Sequence, residues 1–208
     1  MHRFNIFIVV AAFTLIVAGI LPKTVITASE SQSSIEQTFQ KAKQNYLEKN
    51  MNLAAEQIQK SASYIKAEAA KASDKGKEAL NKSAKELEKL ADDVKKGAVT
   101  SVKRIEETFA RAYVALASDS YIKSTESWAK KETAKAGDAL DSANKYLERS
   151  FAWAGQKIET KTKEVMEKSK ELSLRLKKKG SVAAEDVGKR LKDAGNEIEK
   201  FGKRISPK

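Results

Sequence analysis

Between Pro22 and Pro207 the chain has no proline, so every residue in that span keeps the amide hydrogen that a helix needs. The apolar residues of the span recur at alternating intervals of three and four, the spacing that gathers side chains on one face of a helix. The longest such run is Ser120 to Lys179, where only Gly137 and Gly155 lower the helix propensity. Its seam is Ile122, Thr125, Ala129, Ala136, Leu140, Ala143, Leu147, Phe151, Ala154 and Ile158, and an unbroken helix of this length would span roughly 90 Å.

Four further seams precede or follow it. Ile35, Phe39, Ala42 and Tyr46 come after Ser33, which with Glu36 has the spacing of a capping box. Met51, Ala54, Ile58, Ala62 and Ile65 follow Asn50, a good N-cap residue. That seam weakens between Ala69 and Gly76, a kink or break, then resumes as Leu80, Ala84, Leu87, Ala91 and Val94 up to Gly97, the expected left-handed C′ residue. Ala98, Val102, Ile105, Phe109, Ala112 and Leu116 lead to a turn at Ser118-Asp119-Ser120. Gly180 ends the long run, Ser181 caps the last helix, and Val187, Leu191, Ala194, Ile198, Phe201 and Ile205 form its seam. The pattern predicts an all-α fold, an antiparallel bundle or coiled-coil-like hairpins of long amphipathic helices. The helices are expected over about 35–48, 51–96, 98–117, 120–179 and 182–205, in one bundle domain spanning 35–206. Seven of the eleven aromatics beyond residue 28 lie between Phe109 and Trp153, which places the expected core there.

The N-terminal segment has the form of a targeting device. Arg3 precedes an uninterrupted apolar run, residues 6–21, and Ile26 and Ala28 occupy the −3 and −1 positions of a signal-peptidase site. Residues 1–28 are therefore expected to be a cleaved signal peptide, with an uncleaved membrane anchor as the alternative, and 29–34 a polar linker. Either route exports the bulk of the chain to a periplasmic or extracellular compartment. The chain has no cysteine, so neither disulfides nor a lipid-modified cysteine contribute.

The single histidine is His2. Beyond the leader no imidazole base, thiol nucleophile, or His/Cys metal ligand exists, and no phosphate-cradling glycine loop is present. The adjacent acid pairs Asp92-Asp93, Glu106-Glu107 and Glu185-Asp186 diverge on a helix, and most acids stand three or four residues from a lysine. These observations predict a non-enzyme with no catalytic residues, cofactor or metal.

Three groups of residues stand out as candidate contacts. Tyr121, Trp128, Tyr146 and Trp153 are spaced by seven, eighteen and seven, so on one continuous helix they fall within about 40° of each other, on a second face. The face is either buried inside a bundle or an exposed ladder that binds a partner. Lys177, Lys178 and Lys179 concentrate positive charge in a chain of net charge +12, or 12 − 2 = +10 without Arg3 and Lys23 of the leader, and form a candidate anionic-surface contact. Gly188, Gly195 and Gly202 repeat every seven residues beside the last seam. Each costs about 1 kcal/mol against alanine, which suggests close approach of a partner helix.

The two halves are loosely alike at an offset of 70 residues, with Phe39, Ala42, Glu56 and Lys60 matching Phe109, Ala112, Glu126 and Lys130. The pattern Ala42-x-x-x-Tyr46-Leu47, Asn50-x-x-x-Ala54-x-x-x-Ile58-x-x-x-Ala62, echoed by Ala112-x-x-x-Leu116 and Leu140-x-x-Ala143, resembles exported bacterial helical proteins of the YfdX type. That resemblance implies a helical periplasmic protein without a defined catalytic site. The Lys- and Ala-rich composition also resembles late-embryogenesis-abundant and apolipoprotein-like helices, which fold on drying or on lipid. The sequence thus leads to an exported scaffold or chaperone-like interaction protein of the bacterial envelope, acting through a protein partner or self-association. The alternative is an amphipathic-helix protein that binds anionic lipid, lipopolysaccharide or cell-wall polymer, with nucleic acid the least favoured polyanion.

Overall fold

In the computed structural model, which describes residues 28–178 and 182–206, with the backbone alone for 28–33, seven α-helices follow one another without a strand. They are α1 (Ala28–Leu47), α2 (Met51–Ala69), α3 (Asp74–Lys95), α4 (Val102–Ala129), α5 (Thr133–Trp153), α6 (Thr160–Lys177) and α7 (Ala184–Arg204). Each helix packs on the next in sequence, and α4 also receives α1 and α7, so four helices (α1, α3, α5 and α7) pack around α4. The packed pairs run in opposite directions. Along α1 and α4, for example, Glu36 meets Tyr113 and Lys43 meets Glu106.

The seams read from the sequence are the buried faces. Leu80, Ala84, Leu87, Ala91 and Val94 of α3 are buried, as are Val187, Leu191, Ala194, Ile198 and Phe201 of α7. The main core joins α1 to α5 and the end of α7, around a stack of Phe39 on Phe109 with centroids 3.9 Å apart. A smaller core of Ala136, Leu140, Leu172, Leu176, Val187, Leu191 and Ala194 closes the far end, with Tyr121 and Trp128 packed on it.

The largest departure from the expected pattern is the stretch 120–179. It is not one helix: Ser120–Ala129 belongs to α4, and breaks at 130–132 and 154–159 separate α5 and α6. The expected turn at Ser118-Asp119-Ser120 lies inside α4. Asp and Ser favour turns when their side chains bond to nearby backbone, but Asp119 is engaged elsewhere. Its carboxylate accepts the Ser73 amide (3.0 Å) and hydroxyl (3.1 Å) at the start of α3 and is paired with Lys123 at 2.7 Å. Gly76 completes this junction, because a Cβ there would collide with the Asp119 side chain.

Other boundaries also shift. The weak middle of 51–96 is a true break at 70–73, α4 starts at Val102 rather than 98, and α7 at Ala184 rather than 182. The expected linker 29–34 is helical, since α1 starts at Ala28. Glu36 is therefore interior to a helix and does not act as a capping-box residue. Asn50 takes the N-cap position of α2 without a side-chain capping bond. Residues 1–27 of the expected leader, Lys179, Gly180 and the cap at Ser181 lie outside the described residues, while Ala28, the last leader residue, begins α1. Among those described, no helix is long and apolar enough to cross a membrane.

Four helices end alike, with a left-handed residue whose amide bonds three residues back while the next amide bonds five back. These residues are Lys49, Gly97, Lys131 and Gly155, with φ of 63°, 70°, 61° and 61°, the geometry of a Schellman ending. Two of the four are lysine, which carries a Cβ penalty that glycine avoids. Lys131→Gly is expected to stabilise the fold by about 0.5–1 kcal/mol, the relief of left-handed strain less the extra freedom of an unfolded glycine. A urea midpoint that falls instead of rising would contradict this.

Candidate functional site

Because α3 and α7 both pack on α4 but not on each other as a pair, the ring of helices around α4 is open between them. The opening is a groove of about 570 Å³. Its floor is α4, with Val114, Ala115, Ser118 and Ile122; one wall is α3 through Ala79, Lys82 and Ser83, the other α7 through Gly195, Ile198 and Gly202. A second hollow of about 580 Å³ continues it past Arg111 towards Arg104 and Gln156.

Arg111 forms the neck between the two. It donates to Glu86 on α3 (2.9 Å) and Thr108 (3.0 Å), and reaches the Ile205 carbonyl at the end of α7 (3.5 Å). This guanidinium fixes the width of the opening by holding both walls to the floor.

The α3 rim carries lysines at a regular interval. Lys75, Lys82, Lys89 and Lys96 repeat every seven residues, a row that drifts only about 20° per heptad on a straight helix. None of the four, nor Lys85 beside them, forms an ion pair with a described carboxylate, and all five are exposed. Of the acids near that row, Glu86 and Asp93 are held by Arg111 and Arg104 of α4, which leaves Glu78 and Asp92, neither within ion-pair distance of a lysine of the row.

The chain matches no family model, no curated protein and no solved structure. Its site must therefore be read from its own geometry.

The aromatic ladder does not exist as a single stripe, because the break at 130–132 rotates α5 against α4. Tyr146 and Trp153 are buried in the main core, where Trp153 packs edge-on against Phe109 at 5.1 Å. Tyr121 and Trp128 are half-buried against the smaller core. Burial raises the Tyr121 phenol above its ordinary value.

Of the three glycines, Gly195 makes the expected close approach, since a Cβ would lie 2.6 Å from the Tyr121 hydroxyl oxygen. Gly202 does so more loosely, at 3.1 Å from a Val114 methyl. Gly188 does not, for nothing lies within 4 Å of its would-be Cβ. A close approach of one helix backbone to another was not among those expected. It is at Gly137, where a Cβ would stand 2.7 Å from the Ser173 carbonyl oxygen and 2.8 Å from the Lys177 amide on α6.

Lys177 is spent inside the fold. It bonds to Asp141 at 2.8 Å and sits 3.5 Å from Asp138, tying α6 to α5, and the hydrogen bond to Asp141 raises its ammonium above the usual value. Lys178 is exposed at the end of α6, and Lys179 is outside the described residues. Burial alone would raise the Asp141 carboxyl, but hydrogen bonds from Lys177 and Lys145 hold it below its ordinary value. A depressed carboxyl contributes stability that is complete above its unfolded value of ~3.9 and is lost as pH falls through the folded value. Asp141→Asn should therefore flatten the acid side of a stability-versus-pH curve below about pH 4. Urea midpoints that fall equally steeply in both proteins would remove this pair from the account.

A polar cluster that no sequence signal marked lies beneath α1. One oxygen of Glu36 accepts the Tyr113 hydroxyl at 2.6 Å and the Trp153 indole N–H at 3.2 Å; the other accepts Gln40 at 2.9 Å and faces Arg149 at 3.5 Å. Burial, then the bond to Glu36, push the Tyr113 phenol far above its usual range, so it stays a donor. This cluster joins α1, α4 and α5. Among the described residues no three His, Cys, Asp or Glu side chains converge as a metal site.

Proposed function

We propose that this chain is an exported, non-enzymatic helical scaffold or chaperone-like protein of the bacterial envelope that works by binding another protein. The observation that carries the reading is the use made of the inward polar groups. Glu36, Arg111, Asp119 and Glu197 each tie one helix to another, while the open groove on α4 is lined mainly by small and apolar side chains. Polar groups committed to packing beside an unfilled apolar groove suit a binding surface better than a reaction centre. The likeness to YfdX-type proteins and the signal-like leader belong to the same reading.

The chain has no cysteine, so single cysteines can carry a photoreactive label without interference. Labels on Ser118→Cys, in the groove, and on Leu174→Cys, at a side chain 55% exposed on α6, should give a discrete protein adduct from at least one position in the envelope of the producing cell. Adducts to lipid alone, or none at either position, would end the reading.

A second reading, binding to an anionic surface, is supported by the lysine row of α3; of the Lys177–Lys179 candidate, Lys177 is internally paired, Lys178 is exposed and Lys179 lies outside the described residues. The mark of this reading is collapse of binding with rising salt.

A further inference from the structure

We infer that the groove between α3 and α7 is a docking site for an acidic amphipathic helix of a partner protein. The inference rests on the protein-binding reading and names the partner's chemistry.

The first support is the shape of the gap. Helices α3 and α7 run parallel to each other on α4, since Glu86 and Ile205 meet Arg111 while Ala79, Gly195 and Tyr121 line the opposite end. The floor from Arg111 to Ile122 covers eleven residues of rise, or about 17 Å, three helical turns. Ala115 and Ser118 on the floor are small and leave space for a further helix, while Gly195 and Gly202 let α7 close on Tyr121 and Val114 of α4 at the edge of that space. An amphipathic helix laid there would place its i, i+3, i+4, i+7 face over Val114, Ile122 and Ile198.

Charge supplies the second support and selects the occupant. The α3 rim presents lysines one heptad apart, and the two that line the hollows, Lys82 and Lys89, have no carboxylate partner among the described residues. Seven residues is also the interval at which a docked helix returns its flanking side chains to the same side. Glu or Asp at i and i+7 on the flank toward α3 would meet this row. The α7 rim is neutral by comparison, because Lys203 is paired with Glu199 at 2.5 Å. The acids are therefore expected on one flank rather than both. A bare lipid surface does not match this layout, for the apolar residues lie at the bottom of a groove while the exposed outer face of α3 is polar.

The test uses the chain from residue 29 onward and two synthetic helices of roughly three heptads, each with Leu at a and d and either Glu or Lys flanking them. Fluorescence anisotropy should give saturable binding of the acidic helix and none of the basic one. The exposed double change Lys82→Glu, Lys89→Glu should weaken the acidic helix at least ~10-fold and admit the basic helix. A circular dichroism melt checks that this double variant is folded, and protection of Ser118→Cys from alkylation by the acidic helix, with Leu174→Cys unprotected, locates binding in the groove. Equal binding of both helices, an unchanged affinity in the double variant, or capture by anionic vesicles but by neither helix would overturn the inference. If the helices fail while the label at Leu174→Cys alone still yields protein adducts, the groove is excluded and the protein-binding reading stands. Adducts from Ser118→Cys with no helix bound would overturn the acidic-helix occupant but keep the protein-binding reading. Failure of both experiments removes both.

Discussion

Phe109→Ala is expected to destabilise the fold by about 3–5 kcal/mol, the usual cost of emptying a buried phenylalanine site. The ring is completely buried, lies 9° from parallel on Phe39 of α1, and takes the edge of Trp153 of α5. Such pairs add about 0.5–1.5 kcal/mol beyond area alone, and here they join three helices, so the void cannot close by shifting one side chain. For a chain of this size the loss corresponds to a fall of roughly 10 °C in melting temperature. Leu174→Ala, at a side chain left 55% exposed, should stay within about 0.5 kcal/mol. Urea unfolding of both variants is the measurement. A Phe109→Ala loss below about 1 kcal/mol would mean that α1 is not docked on α4 in solution.

The second large effect should come from Glu36→Ala. The Tyr113 side chain is 1% and Trp153 6% exposed, so removing their shared acceptor strands two buried donors. Each stranded donor costs about 1–3 kcal/mol, for a combined loss of about 2–4 kcal/mol once the surroundings relax. Glu36→Gln keeps a carbonyl oxygen in place and should cost only about 1 kcal/mol. Tyr113→Phe added to Glu36→Ala should recover part of the loss, a coupling that a double-mutant cycle reads directly. If alanine and glutamine cost the same, Glu36 contributes only its packing.

These two predictions also mark how far the sequence could be read. Phe39 and Phe109 were legible as seam residues because burial on one helix face leaves a period in the chain. That they stack on each other was not, since nothing local fixes which seam meets which. The Glu36 cluster was hidden by the same limit. Beside Ser33 the residue has a capping-box spacing, and its partners Tyr113 and Trp153 are 77 and 117 residues away. The heptad of lysines on α3 was visible, but in a chain with 40 Lys and Arg a lysine row gains meaning only when Lys82 and Lys89 are seen to form no ion pair among the described residues and to border the hollows.

Helix ends divide the same way. Gly97 announced its left-handed turn, whereas Lys131 adopts the same conformation with no glycine or proline to signal it, and the long central stretch was read through that break. Asp119 misled in the opposite direction, as its turn preference is cancelled by a bond to Ser73 across 46 residues.

What the sequence alone determined is the helical class, the buried face of nearly every helix, and the absence of any cysteine or of a histidine other than His2. Those properties depend on residue type and on a period of a few residues. The tertiary structure alone decided that α4 is the central helix, that the four-aromatic stripe is divided between two cores, that Lys177 is internally paired, and that α3 and α7 leave a groove between them. Each of these depends on which faces meet across long sequence separations, and that is settled by packing among helices rather than by any local preference of the chain.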